Sequence, residues 1–232
     1  LQEAAQIADA AGRTDRVTIV EMTHRFYPPV QQAREWVRSG RMGRVFAVED
    51  RIVQPTLPGD LPEWIFQRAC AGGGVALTNG IHMLDRIAWV CGQELTYRNG
   101  VASWAEGQGD AEDTAAMVLS LEDGTPVSLL ASWPQARGTV DHELTIYGTT
   151  GTLRVWAWQG WRFEPGEGDA ENHVCYPEEA DHYAKVRIGM VGVLREFSAA
   201  IREGRTASPS PAEVLKAQAI VEAFYEDNDA TL

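Results

Sequence analysis

The stretch Gly72-Gly73-Gly74-Val75-Ala76-Leu77-Thr78-Asn79-Gly80-Ile81-His82-Met83-Leu84-Asp85 organises the rest of the chain. Three consecutive glycines lose more backbone entropy on ordering than any other residues, so they suit neither a helix nor a strand interior and imply a close approach to the backbone. Behind them Thr78 and Asn79 offer capping side chains. Ile81, Leu84, Ile87, Ala88 and Cys91 then recur at helical spacing until Gly92 supplies a stop. The spacing predicts a glycine loop feeding a capped helix. At about 100° per residue the apolar side chains share one face, and His82, Arg86 and Trp89 fall on the opposite stripe. An imidazole in the first helical turn, off the apolar face and beside a loop that can admit a ligand, is placed for proton transfer at neutral pH. The same position also suits a hydrogen-bonded surface histidine.

Outward from this segment, the chain divides into two characters. Upstream, Leu1 to Ala11 has helical periodicity with Gly12 as its stop, Val17 to Met22 is a β-branched run of strand length, and Val30 to Ser39 reads as a helix with Ala33, Trp36 and Val37 on its apolar stripe. Val45 to Val53 reads as a strand with Phe46, Val48 and Asp50 on one face, followed by a loop over Pro55 to Pro62. Downstream of Gly92 come short strands at Tyr97 to Trp104, Ala115 to Leu121, Val127 to Ser132, Glu143 to Tyr147, Leu153 to Trp158 and Trp161 to Phe163. Their short connections imply antiparallel pairing. Glu164 to Glu179, acidic and rich in glycine and proline, reads as an exposed excursion containing His173. Two helices close the chain, the second opened by the capping box Ser210-Pro211-Ala212-Glu213. The expected architecture is α+β, a predominantly antiparallel open sheet with helices on one face.

Composition narrows the partners. The 232 residues carry a formal net charge of -13, which argues against nucleic acid and anionic membranes. The three cysteines, Cys70, Cys91 and Cys175, form no Cys-x-x-Cys pair, so a disulfide framework or thiolate metal site is not expected and a reducing, cytoplasmic setting fits. His82 and Asp85 at i, i+3 are the nearest thing to a metal pair, without an evident third ligand. Trp156 and Trp158 alternate onto one strand face and suggest a sugar-stacking shelf or, on an uncovered sheet face, a subunit contact.

The central run resembles the Gly-Gly-Gly-x-x-x-Asp-x-Gly-x-His-x-x-Asp signature of the substrate domain in the glucose-fructose oxidoreductase, inositol dehydrogenase and MocA (Gfo/Idh/MocA) family of nicotinamide-dependent sugar and polyol dehydrogenases. Arg25-Phe26-Tyr27-Pro28-Pro29, Ser39-Gly40-Arg41-Met42-Gly43, Ile146-Tyr147-Gly148-Thr149-Thr150-Gly151, and Phe197 to Gly204 followed by Ser208 to Tyr225 match in the same order. The resemblance implies that residues 1–28 are the last helix and strand of a Rossmann domain and that 29–232 form a substrate-binding and oligomerisation domain. It implies an oxidoreductase acting on a sugar, polyol or related hydroxy or keto compound, with His82 catalytic. Thr78, Asn79, Trp64, Arg68, His182 and Tyr183 would lie near the substrate, and Gly73 and Gly74 near the cofactor. It further implies NAD or NADP in the full-length protein, no cofactor for this segment alone, and a homodimer or homotetramer formed through the open sheet face.

Two features depart from the family pattern. Thr78 stands where an aspartate is usual, and a threonine cannot carry the charge that would orient or polarise the imidazole. The Gly-x-Gly-x-x-Gly turn and the Glu-Lys-Pro strand end of the nucleotide-binding half have no counterpart, so the chain reads as beginning in mid-fold. The alternative is a non-catalytic binding or oligomerisation module.

Overall fold

A computed structural model describes residues 1–56, 59–104, 107, 109–135, 138 and 140–229, for residue 229 the backbone only. Helices α1 (Gln2–Gly12), α2 (Pro28–Arg38), α3 (Arg68–Ala71), α4 (Ile81–Cys91), α5 (His182–Glu203) and α6 (Pro211–Asp229) accompany one eight-stranded sheet. Its strands are β1 (Val45–Val53), β2 (Leu95–Ser103), β3 (Thr114–Leu121), β4 (Pro126–Ser132), β5 (Asp141–Gly148), β6 (Gly151–Trp156), β7 (Gly160–Pro165) and β8 (Glu171–Val174). The spatial order is β2-β3-β4-β1-β5-β6-β7-β8, antiparallel throughout except for the parallel pair β1 and β4. The α+β arrangement expected from the sequence is therefore the one adopted. None of the helices among the described residues is long and apolar enough to cross a membrane.

Strand alternation builds the core. Val48 and Ile52 on β1, Met117 and Leu119 on β3, Val127 and Leu129 on β4, Leu144 and Ile146 on β5, and Leu153 and Val155 on β6 all point to the face covered by α2, α4 and α6. There they meet Trp36, Met83, Leu84, Ile87, Val221 and Phe224. The opposite face is a charged lattice in which Arg51 reaches Glu49 and Asp141, and Arg154 reaches Glu143.

Several sequence expectations need correction. Val17 to Met22 forms no strand: the Val20 amide donates to the carbonyl of Pro209 at 2.9 Å, and the Met22 amide turns back to the carbonyl of Val20 at 2.9 Å. Phe46 does not share the inward face of Val48 and Asp50. A register shift between Val45 and Ala47 turns it out to the open face, its ring centroid 6.3 Å from that of Tyr147. The acidic excursion contains an edge strand, β8, whose residues are exposed on both faces and so lack the apolar alternation that marks a strand in sequence. Of the Pro55 to Pro62 loop, residues 57 and 58 lie outside the described residues.

Arg86 does not lie on a solvent-facing stripe. It is fully buried and grips Asp50 of β1 with two hydrogen bonds, one of 2.6 Å from Nε. Helix α4 thus buries both its apolar face and this ion pair, which fixes it across β1. A second buried arginine, Arg25, donates to Asp85 at 2.8 and 2.6 Å and to Glu213 at 2.7 Å. It lies in a short 3-10 turn, Thr23–Phe26, and ties that turn to α4 and α6. The capping box forms as read: the Glu213 amide donates to Ser210 Oγ at 3.3 Å and the Ser210 amide to Glu213 Oε1 at 3.2 Å.

Candidate active site

The glycine loop does serve a close approach, but the approaching groups belong to the chain itself. A Cβ on Gly73 would collide with the hydroxyl of Tyr225, and one on Gly74 with the backbone of Glu112. The Gly74 and Ala76 amides each donate to the Glu112 carboxylate at 2.9 Å, and Tyr225 donates to it at 2.8 Å. Glu112, 2% exposed, therefore caps the helical segment, where a carboxylate is favoured by the dipole and by the unpaired amides. Thr78 and Asn79 are not the caps predicted from sequence. They lie inside a single wide turn, Ala76–Gly80, of π-helical geometry, which runs directly into α4. Such a turn inserts one extra residue and re-aims the side chains around it.

This turn delivers His82 to the end of the sheet where β1 and β4 finish and β5 begins. The His82 ring stacks on that of His24 with centroids 4.9 Å apart and planes 26° from parallel. Its Nδ1 is buried without a hydrogen-bond partner among the described residues. Burial, with Arg86 nearby, lowers its pKa to about 4, so the imidazole is neutral at pH 7. His24, within the 3-10 turn, also has a buried, unpartnered Nδ1, and its pKa is held well below the ordinary value by burial first and then by His82, Arg86 and His142. His142 on β5 faces the same side as Leu144 and Ile146; both of its ring nitrogens are buried without partners, and burial brings its pKa down to about 3. Trp158 lies against it at 4.0 Å, its own indole N–H unpartnered, and His182 meets Trp158 edge-on at 4.6 Å.

Buried polar atoms in folded proteins are nearly always hydrogen-bonded. Here five ring nitrogens, on His24, His82, His142 and Trp158, share one region without partners. Neutral imidazoles each carry one donor and one acceptor, so with the indole they form a wall of unused hydrogen-bonding capacity. No group of three histidine, cysteine or acidic residues among the described residues is arranged to hold a metal ion.

The sequence-derived site residues distribute unevenly around this wall. His182 joins it through Trp158, and Tyr183 follows, its ring 5.8 Å from that of His182 and 77% exposed. Asn79 lies nearby but its Oδ1 accepts from the Trp133 indole at 2.7 Å. Thr78 is exposed and makes no side-chain bond to His82. Trp64 is exposed in the short turn Glu63–Phe66, and Arg68 lies over the Tyr225 ring at 5.3 Å, on the Glu112 side of the glycine loop. Gly73 and Gly74 are filled by Tyr225 and Glu112, which leaves that loop structural in this conformation. Trp156 and Trp158 do not share a face. The strand ends at Trp156, whose indole donates to Glu143 on the open face at 2.9 Å, and the turn that follows carries Trp158 to the histidine side.

His24 and His142 are the members that reading the sequence missed, whereas Trp158 is offered by the sequence as half of an indole pair with Trp156. The sequence does carry a signal for His142: it occupies an inward position of the Leu144 and Ile146 series, one residue before the strand that the sequence predicts from Glu143 to Tyr147. The stack of His24 on His82 joins residues 58 positions apart and leaves no local trace.

Comparison with known proteins agrees with this architecture. The pattern of the GFO/IDH/MocA C-terminal domain matches residues 30–154, more than half of the chain. The D-glucoside 3-dehydrogenase of Escherichia coli (strain K12) is 31% identical over 93 residues, covering 39% of this chain and 26% of that protein. The rhizopine catabolism protein MocA of Rhizobium meliloti is 27% identical over 150 residues, covering 60% and 45%. The chain thus aligns with less than half the length of either relative. A levoglucosan dehydrogenase solved with NADH and levoglucosan superposes with a TM-score of 0.85 at 21% identity, over 99% of this chain and 68% of that one, which shows a shared fold. With that pattern spanning α2 to β6, the chain belongs to the Gfo/Idh/MocA family.

Proposed function

We propose that this chain forms the substrate side of an NAD- or NADP-dependent oxidoreductase acting on a carbinol carbon of a sugar, polyol or related hydroxy or keto compound. In this reading residues 29–232 bind the substrate, and residues 1–28 belong with a nucleotide-binding domain. The single observation that supports it most is His82: a neutral imidazole at the head of α4, set in a wall of unpartnered ring nitrogens.

The dinucleotide does not fit the glycine loop of this chain, because Glu112 and Tyr225 occupy the approach to Gly73 and Gly74. The chain's own residues account for the substrate side. His82, neutral, would accept the hydroxyl proton while a bound nicotinamide takes the hydride from the carbinol carbon, and would return the proton in the reverse direction. His142 and Trp158 offer a donor, an acceptor and a flat apolar face to a polyhydroxy ring. The names of the relatives, a D-glucoside dehydrogenase and a levoglucosan dehydrogenase, favour a sugar over other hydroxy compounds.

Self-association through the open sheet face is part of the proposal. Phe46, Val101 and Val118 are 46%, 64% and 53% exposed on it, the two valines on β2 and β3, toward the edge away from the charged pairs of β1, β5 and β6.

A second reading, a binding or oligomerisation module without turnover, is supported by Thr78, which leaves His82 with an arginine rather than a carboxylate as its charged neighbour. One experiment separates the two. The whole protein is assayed with NAD and NADP against methyl glucosides, levoglucosan and myo-inositol, alongside His82→Asn. The oxidoreductase reading expects turnover that His82→Asn lowers by about 10²- to 10⁴-fold with an unchanged unfolding midpoint. Sugar binding without turnover, or a variant that loses folded protein in step with activity, contradicts it. The 232-residue segment alone is expected to bind neither dinucleotide, and micromolar affinity in calorimetric titration would overturn that expectation.

A further inference from the structure

We propose that His24 is the positioning residue for His82: its ring is a fixed platform that sets the plane of the His82 imidazole and keeps water from that face. The proposal rests on the assignment of His82 as the proton-transferring group, and its test includes an arm independent of that assignment.

The argument starts from how the His24 turn is held. Arg25, its neighbour, makes a two-pronged ion pair with Asp85, one helical turn beyond His82 on α4. The 3-10 turn and the helix are therefore joined at two successive levels, by the ion pair at Asp85 and by the ring stack at His82. From the outside, α5 presses on the same turn through two glycines. A Cβ on Gly189 would crowd Tyr27 and Thr23, and one on Gly192 would crowd Phe26. Tyr27 completes the support, its ring 5.5 Å from that of His24. With the 3-10 turn clamped from both sides, His24 has little freedom, and at 7% exposure it cannot turn outward without opening the α5 contact.

The chemistry of the pair follows from this geometry. Two imidazoles stacked in a buried site cannot both be cationic, since like charges at this range repel and neither is solvated. The other charged and titratable groups around them act the same way or are already committed. Arg86, from the same helix and paired with Asp50 of β1, disfavours a charge on either ring; His142 faces them from β5; Asp85 and Glu213 are engaged by Arg25. Among the described residues no carboxylate is left to favour a protonated His24 or His82, which keeps His82 as the neutral base that alcohol oxidation needs. A side chain that only filled space at position 24 would not do this unless it also presented a flat face.

The test uses His24→Ala and His24→Phe in the whole protein, read by kcat and KM with NAD and methyl glucoside and by an NMR titration of the His82 ring. His24→Ala is expected to lower kcat about tenfold or more with KM changed less than about twofold, as loss of orientation does. In the same variant His82 should titrate closer to 6.5 than to about 4 as water reaches its face. His24→Phe, which keeps the platform, should recover most of kcat and keep His82 titrating low. The proposal is overturned if His24→Ala leaves both kcat and the His82 titration unchanged, or if His24→Phe is as impaired as His24→Ala. If the protein turns over no glucoside, the NMR titration of the two variants decides alone, so failure of the functional assignment and failure of the platform are read separately.

Discussion

Two buried polar regions lie within one helix length of each other and are built on opposite terms. In the scaffold, every charge that α4 and its glycine loop bury has its counterpart: Arg86 with Asp50, Arg25 with Asp85 and Glu213, and Glu112 with two amides and a tyrosine hydroxyl. At the sheet end, His24, His82, His142 and Trp158 bury ring nitrogens that bond to nothing within the described residues. The same fold that satisfies its ions leaves its imidazoles open. The difference teaches where to look for a ligand, because an unsatisfied polar atom costs stability unless something outside the chain completes it.

The largest effect should come from breaking the satisfied side. Asp50→Ala leaves Arg86 buried and unpaired and should cost about 3–5 kcal/mol in denaturant unfolding. Arg86→Ala is expected to be similarly damaging, and an effect under about 1 kcal/mol for both would show that the pair is not sealed from water. Next in size, Glu112→Ala strips the Gly74 and Ala76 amides of their acceptor and should cost about 1–3 kcal/mol in the same measurement. A loss confined to a few tenths would mean that Thr78 or Asn79 can take over as the cap.

The open side should respond in the contrary way. His142→Phe replaces two unpartnered nitrogens with an apolar ring on the same Trp158 face, so its unfolding free energy should stay within about 1 kcal/mol while sugar affinity falls. The contrast also predicts a pH dependence. His82 at about 4 and His142 at about 3 lie below the ordinary 6.5, so between those values the unfolded chain binds protons that the folded chain refuses. Stability should be level above pH 6.5 and fall as pH drops from there toward 4. Replacing both histidines with phenylalanine should make that slope shallower, leaving the share of His24, whose pKa burial also lowers, and an unchanged slope would place its origin in His24 and the carboxylates.

The sheet and its helices could be read from sequence because alternation and helical spacing report burial directly. Thus β3, β4 and β6 begin or end within two residues of expectation. What escaped follows from partners that are distant in the chain. Helical spacing places Arg86 opposite the apolar stripe, and only Asp50, 36 residues earlier, explains why that side is also buried. The glycine triad was rightly read as a place of close approach, but the groups that approach it, Glu112 and Tyr225, come from a later loop and the last helix. Trp158 was misplaced because alternation was carried two residues past the end of β6. His82 was legible as a first-turn imidazole off the apolar stripe, whereas the neighbours that set its pKa were not.

The most direct measurement compares two tryptophans of the whole protein that differ in just this respect. Trp156 has its indole N–H bonded to Glu143 on the open face, and Trp158 has its own buried without a partner. The indole N–H resonances are followed by NMR as methyl glucoside is added. The account predicts that the Trp158 signal moves with saturating sugar while the Trp156 signal stays in place. A Trp158 signal that remains fixed at saturation would contradict it.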